Sequence, residues 1–157
     1  TRRSSDLSLT LGDDVVFTVL SPGTIFTKEN TTGVSESGLT NDNSIVCKMT
    51  YGKFSMLFTG DAQKEVEQQL LKEDIKADIL KVGHHGSKTS SSDAFVKAVA
   101  PKAATISCGV NNSYKFPHEP TLKTLQKYHV DVYRTDRNGV ITIKTDGSSY
   151  SIEKEHE

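Results

Sequence analysis

Apolar and polar residues alternate through "LSLTL" (7–11), and "DVVFTVL" (14–20) is a second β-rich run, so the pair reads as a hairpin joined at Gly12-Asp13. "SIVCKMTYGKFSMLFTGD" repeats the arrangement around Tyr51-Gly52-Lys53 and predicts a second hairpin. Between them, residues 21–43 are rich in Ser, Thr, Gly and Asn and predict a long, exposed, mobile loop. After Asp61 the period lengthens to about 3.6. Ala62, Val66 and Leu70 fall on one stripe and predict a helix over 62–72. "ADILKV" (77–82) is a short apolar run, read as a buried strand. A second helix is predicted over 91–100, with Ser92 or Asp93 able to cap it, Phe95, Ala98 and Val99 on one face, and Pro101 beyond its end. "AATISCG" (103–109) is again strand-like. A third helix, 119–129, opens near Pro120 and carries Leu122, Leu125 and His129 along one side. "VDVYRT", "GVITIKT" and "SYSIEKE" close the chain as three strands, with turns at Asn138-Gly139 and Asp146-Gly147.

Strands alternating with helices in the second half predict an α/β fold with a partly parallel sheet. Helices 62–72, 91–100 and 119–129 should share one face of it. The opposite face would then be covered by the 7–20 hairpin, shielded by weak self-association, or left wet. A length of 157 residues suits a single domain, 1–157, and no repeat or heptad divides it. No stretch approaches the ~18–20 apolar residues of a membrane span. A start at Thr1 without an initiator methionine suggests a segment of a longer polypeptide. Nineteen basic against twenty acidic residues give a net charge of −1, which excludes a general nucleic-acid footprint and leaves room only for local contacts. Cys47 and Cys108 form no CxxC and read as buried free thiols, with a single disulfide as the alternative.

Candidate chemistry gathers at three strand ends. "FSMLFTGD" runs into Gly60 and Asp61, "ILKVGHH" into Gly83, His84 and His85, and "TISCG" into a loop that carries His118. Parallel strands would bring these ends to one rim, where ligands bind in α/β sheets. Asp61 also suits a helix N-cap, and His118 could merely precede a helix. His129 reads as an ordinary helix residue and His156 as a tail residue. Adjacent side chains on an extended segment point to opposite faces, so only one of His84 and His85 faces a site unless the turn between Gly83 and Gly86 redirects the other. Carboxylate with imidazole suits zinc, manganese or iron, and the following serines offer donors to a phosphate.

"NDNSIVCKMTYGKFSMLFTGDA", "ADILKVGHHGSKTSSS", "NNSYKFPHEPTLKTL" and "VYRTDRNGVITI" occur in the order and spacing of ComEC-type competence (DNA-uptake) proteins. The chain resembles the C-terminal metallo-β-lactamase-like domain of those proteins over roughly residues 7–145. That resemblance implies the C-terminal portion of an αββα sandwich, a mixed sheet with helices on one face. It implies that Asp61 bridges two divalent ions, zinc or manganese, and that the His84–His85 pair holds a further ligand, with His85 favoured and His84 open. Ser87 and His118 match a second ring that meets the substrate phosphate, His118 also being placed to protonate the leaving oxygen. The implied activity is a metal-dependent DNA phosphodiesterase. The implied setting is a domain of a bacterial plasma-membrane protein, on an unspecified side.

The chain departs from the family pattern in two places. It contains no H-x-H, so the upstream HxHxDH half of the metal site is absent from this sequence, and "FPHEP" carries Phe116 where relatives often have histidine. A catalytic zinc usually has three protein ligands. The expectation is therefore a half-site with little metal affinity and little hydrolytic activity, whose partners are the missing N-terminal half of the fold, the parent's membrane channel domain and single-stranded or degraded DNA. A non-catalytic DNA-binding or interaction module is the alternative from another class. It would use Lys81, Lys88, Lys97, Lys102, Lys115, Lys123, Arg134 and Arg137. A standalone metallo-hydrolase of another phosphoester or ester would share the fold.

Overall fold

The computed structural model describes residues 7–30 and 35–157. The first hairpin pairs β1 (Ser8–Leu11) with β2 (Val15–Ser21), from Ser8 opposite Thr18 to Leu11 opposite Val15. The second pairs β3 (Val46–Tyr51) with β4 (Phe54–Phe58) around Gly52, whose φ is +56°. From β4 onward the chain turns parallel. β5 (Ile79–Lys81), β6 (Ala103–Ile106) and β7 (Asp131–Arg134) each add beside the preceding strand. The result is one mixed seven-stranded sheet in sequential order, β1 to β7.

Three crossovers link the parallel strands, each through a helix, as parallel pairing requires. They are α2 (Lys64–Leu70), α3 (Asp93–Val99) and α4 (Glu119–Lys127). Strand alternation sorts the side chains. Leu57, Leu80, Val82, Ala104 and Ile106 face the helices and pack with Val66, Leu70, Phe95, Val96, Val99 and Leu125 in the main core. All three helices therefore lie on one face, as expected.

The 7–20 hairpin was one of three expectations for the other face, beside self-association and exposure to water; a C-terminal ribbon covers it instead. Phe54, Met56, Ile79 and Ala103 form a second core under Ile143, Tyr150 and Ile152. These come from a separate antiparallel ribbon, β8 (Ile141–Thr145) and β9 (Tyr150–Lys154), whose alternate residues supply one apolar face. The ribbon docks by backbone contact: the Lys53 N–H donates to the Gly147 carbonyl at 2.6 Å. A Cβ on Gly52 would sit 2.5 Å from that same oxygen, so only glycine fits there. β1 and β2 instead prolong the sheet, and every β1 residue is exposed.

Four local expectations also change. The 21–43 loop contains a helix, α1 (Glu36–Asp42), because Ser35 caps it by accepting the Gly38 N–H at 3.1 Å and Leu39 is buried; residues 31–34 lie outside the described residues. Val96, not Ala98, joins Phe95 and Val99 in the core. His129 lies past the end of α4, left-handed at φ 55° and exposed, so it belongs to no helical stripe. Thr135–Asn138 form a single helical turn, α5, before Gly139. Cys47 and Cys108 are free thiols, each half-buried. Among the described residues no helix is long and apolar enough to cross a membrane.

Candidate metal centre at the strand ends

Asp61 follows β4 through Gly60, whose φ of +51° turns the chain sharply. Its backbone N–H is held by the Ser44 hydroxyl at 3.1 Å. It is not the cap of α2, since Gln63 occupies that position. The carboxylate is 42% exposed and opens into a cleft.

His84 and His85 do not extend β5. Gly83–Gly86 form a tight turn in which His84 (φ 48°, ψ 46°) and His85 (φ 55°, ψ 21°) are both left-handed. This is a costly backbone for non-glycine residues and persists only where the surroundings fix it. Here they do. The His84 N–H donates to the Gly60 carbonyl at 2.9 Å, the Ser87 N–H to the His84 carbonyl at 2.9 Å, and the His118 N–H to the Gly86 carbonyl at 2.9 Å. Gly86 has φ +85°, and a Cβ there would lie 2.5 Å from the Pro117 Cβ. The alternation of an extended strand is thereby broken, and both imidazoles face the same cleft.

The cleft has a volume of about 490 Å³, and Asp61, His84, His85, Cys108, Tyr114 and Phe116 are among its walls. His85 Nε2 lies 3.9 Å from Asp61 Oδ1. Its Nδ1 lies 2.7 Å from the Ser107 carbonyl oxygen. A carbonyl only accepts, so Nδ1 carries the proton, and in the neutral ring Nε2, the nitrogen near Asp61, is the one left unprotonated. His84 is held more loosely, with Nδ1 3.4 Å from Thr89 Oγ1.

Ser87 and His118 lie behind this wall. Ser87 is buried; its hydroxyl meets Thr89 Oγ1 at 3.0 Å, and its carbonyl accepts the Thr121 hydroxyl at 2.9 Å. His118 Nδ1 accepts the Lys88 N–H at 3.0 Å, which leaves the proton on Nε2, 3.2 Å from the Tyr114 carbonyl. The structure thus brings Asp61, His84 and His85 together in the cleft and sets Ser87 and His118 one layer back. Sequence reasoning passed over Cys108 and Tyr114 and noted Phe116 only as a departure. It gave no sign of α1, which adds Ser37 and Asn41 to the rim.

The charges around the pair are ordered. Burial pushes the Lys81 ammonium below its usual range, while Asp61 and then Cys108 pull it back. Burial, and then the hydrogen bond to Asp136, push the Cys108 thiol up. Arg134, paired to Asp136 at 2.6 Å, holds that carboxyl below the usual carboxylate range.

A ligating histidine usually donates its second N–H to a carbonyl or carboxylate. His85 has that arrangement, and Asp61 stands beside it. No group of three or more His, Cys, Asp or Glu side chains capable of holding a metal ion occurs among the described residues. Three protein ligands are the usual minimum for a catalytic zinc, so these residues do not make up a complete centre.

The family model described as the metallo-beta-lactamase superfamily matches residues 25–110. The chain belongs to that superfamily. Within it, the chain is 48% identical over 103 residues to ComE operon protein 3 of Bacillus subtilis, covering 64% of this chain and 13% of that protein. Recombination protein 2 of Haemophilus influenzae is 37% identical over 127 residues, 81% of this chain and 15% of that protein. Competence protein ComA of Neisseria gonorrhoeae is 35% identical over 104 residues, 64% of this chain and 15% of that protein. The chain therefore spans about one seventh of the length of these relatives, and the likeness to competence proteins expected from its motifs is present.

Proposed function

We propose that this chain supplies one side of a divided metal centre in a DNA phosphodiesterase of the competence type, and that the remaining metal donors come from outside this sequence. The carrying observation is His85: its tautomer is set by the Ser107 carbonyl, and its free nitrogen faces Asp61. A metal-ligating histidine commonly donates its other ring N–H to a backbone carbonyl in this way, which leaves the second nitrogen free for the metal. In this reading Asp61 and His85 are the metal ligands contributed here, zinc or manganese suits their nitrogen and oxygen donors, and His84 lines the same wall. Ser87 and His118 hold the loops that carry the pair and the aromatic wall. The relatives named for competence and recombination support DNA as the substrate and membrane-associated DNA uptake as the setting. The exposed β1 edge, with Leu9 and Leu11 open to solvent, offers a pairing surface for the rest of the sandwich or a second copy.

Calorimetric titration of the chain with zinc and with manganese tests the reading. Weak binding that is lost in His85→Ala and in Asp61→Asn is expected. Tight stoichiometric binding by the chain alone would overturn the divided centre, and binding indifferent to both substitutions would overturn the assignment of the pair.

The incomplete donor set favours one second reading, a DNA-binding module without chemistry of its own. It predicts DNA affinity unchanged by chelators and by His85→Ala.

A further inference from the structure

Three rings stand nearly parallel along the wall of the cleft. Tyr114 and Phe116 have centroids 5.4 Å apart and planes 13° apart, and Phe116 and His85 are 6.1 Å and 20° apart. Phe116 also takes the edges of His84 at 5.6 Å and His118 at 5.0 Å, so its position is fixed from several sides. Tyr114 forms the outer end of the ladder. It is 72% exposed, so it contributes little to the core, and Phe116 is its one ring neighbour among the described residues.

The loop that carries the ladder is rigid by construction. Asn112 Oδ1 accepts the Phe116 N–H at 2.9 Å, while its amide nitrogen donates to the Phe116 carbonyl at 2.8 Å and the Gly109 carbonyl at 2.9 Å. The Lys115 N–H closes the turn on the Asn112 carbonyl at 3.0 Å. Pro117 packs against Gly86, which ties the loop to the histidine turn. Phe116 is thus held in place ahead of any ligand, with Tyr114 already stacked on it, which reduces the ordering cost of stacking a further planar group there.

We infer that Tyr114, backed by Phe116, is a nucleobase-stacking platform, and that the site takes a strand whose base beside the reacting phosphate is unpaired. The inference rests on the phosphodiesterase reading above, which sets the phosphate at Asp61 and His85. An aromatic face accepts any base, so the platform recognises single-strandedness and not sequence. Bases within a duplex are stacked on their neighbours and their faces are not offered. With a net charge of −1, the chain lacks the overall positive charge that would hold a strand by its phosphates alone, which makes a stacking contact the more necessary.

The test uses the whole chain and three labelled oligomers of equal phosphate count: a thymidine decamer, its fully abasic counterpart and a duplex. Anisotropy titrations should show the thymidine strand bound more tightly than the abasic one by on the order of tenfold. The duplex should resemble the abasic strand. Tyr114→Ala should erase the difference between the two single strands, and Tyr114→Phe should keep it. An unchanged melting midpoint in Tyr114→Ala, expected for so exposed a side chain, shows that the fold is intact. Equal binding of thymidine and abasic strands by the native chain would overturn the platform while leaving the phosphodiesterase reading in place. A base preference that survives Tyr114→Ala and Phe116→Ala would also overturn it. Failure of every oligomer to bind would overturn the platform together with the reading beneath it.

Discussion

The carboxylate of Glu67, in α2, accepts the backbone N–H of Ser92 at 2.9 Å and also that of Ser91. The residues that open α3 are thereby tied to the helix that follows Asp61. Ser90 adds a second tie, its hydroxyl donating to the Ala62 carbonyl at 2.8 Å. The two segments that deliver Asp61 and the histidines are held together beneath the cleft.

Replacing Glu67 by Gln should leave one of those two N–H groups unsatisfied and cost about 1–3 kcal/mol of stability. Burial, outweighing the serine hydrogen bonds, holds the Glu67 carboxyl above the usual carboxylate range. The folded chain then binds that proton more tightly than the unfolded chain does. The contribution of this group favours folding most at pH below its unfolded value and declines as pH rises through the raised folded value. Urea denaturation at a series of acid pH values should show that decline in the native chain and a flatter profile in Glu67→Gln.

Gly86→Ala should destabilise the chain by about 2 kcal/mol or more, because φ is +85° and the added Cβ would meet the Pro117 ring. The shift should appear in the chemical denaturation midpoint. An alanine tolerated there within a few tenths of a kcal/mol would show that the histidine turn and the aromatic loop are not locked together.

His84→Gly should behave in the opposite sense. The left-handed backbone at φ 48° suits glycine, so stability should hold or rise by up to about 1 kcal/mol, as measured by thermal unfolding. A loss of more than about 2 kcal/mol would mean that the imidazole carries packing that its place in the cleft wall does not suggest.

Much of this arrangement is legible in the residues. Period-two and period-3.6 patterns mark the strands and helices, and a glycine soon after β4, β5 and β6 marks where the chain leaves the sheet. The rim shared by Asp61, His84 and His85 follows from parallel strand order, an inference open to sequence alone. The direction of each ring is not legible. Two left-handed histidines violate the alternation rule, and what fixes them is contact with Gly60, Pro117 and Ser107, each remote in sequence. The cover of the second face was also hidden. β8 and β9 have the alternation of any exposed hairpin, and only the docking of Gly147 on Gly52 shows which surface they meet.

That docking yields a further expectation. Tyr150 packs on Phe54 with centroids 5.4 Å and planes 51° apart, so Tyr150→Ala should cost about 2–3 kcal/mol. A chain ending at residue 138 should self-associate more strongly than the full chain in sedimentation velocity, because Phe54, Met56 and Ile79 would face water. A well-behaved, stable truncated monomer would show that the ribbon is ornamental to the sheet.

The left-handed histidine turn has a consequence for how a centre of this kind assembles. The main-chain torsions of His84 and His85 are fixed by hydrogen bonds and packing within the chain itself. On the divided-centre reading proposed above, complementary donors would meet a turn whose backbone is already set, and the speed of assembly should follow local concentration and not any slow refolding here.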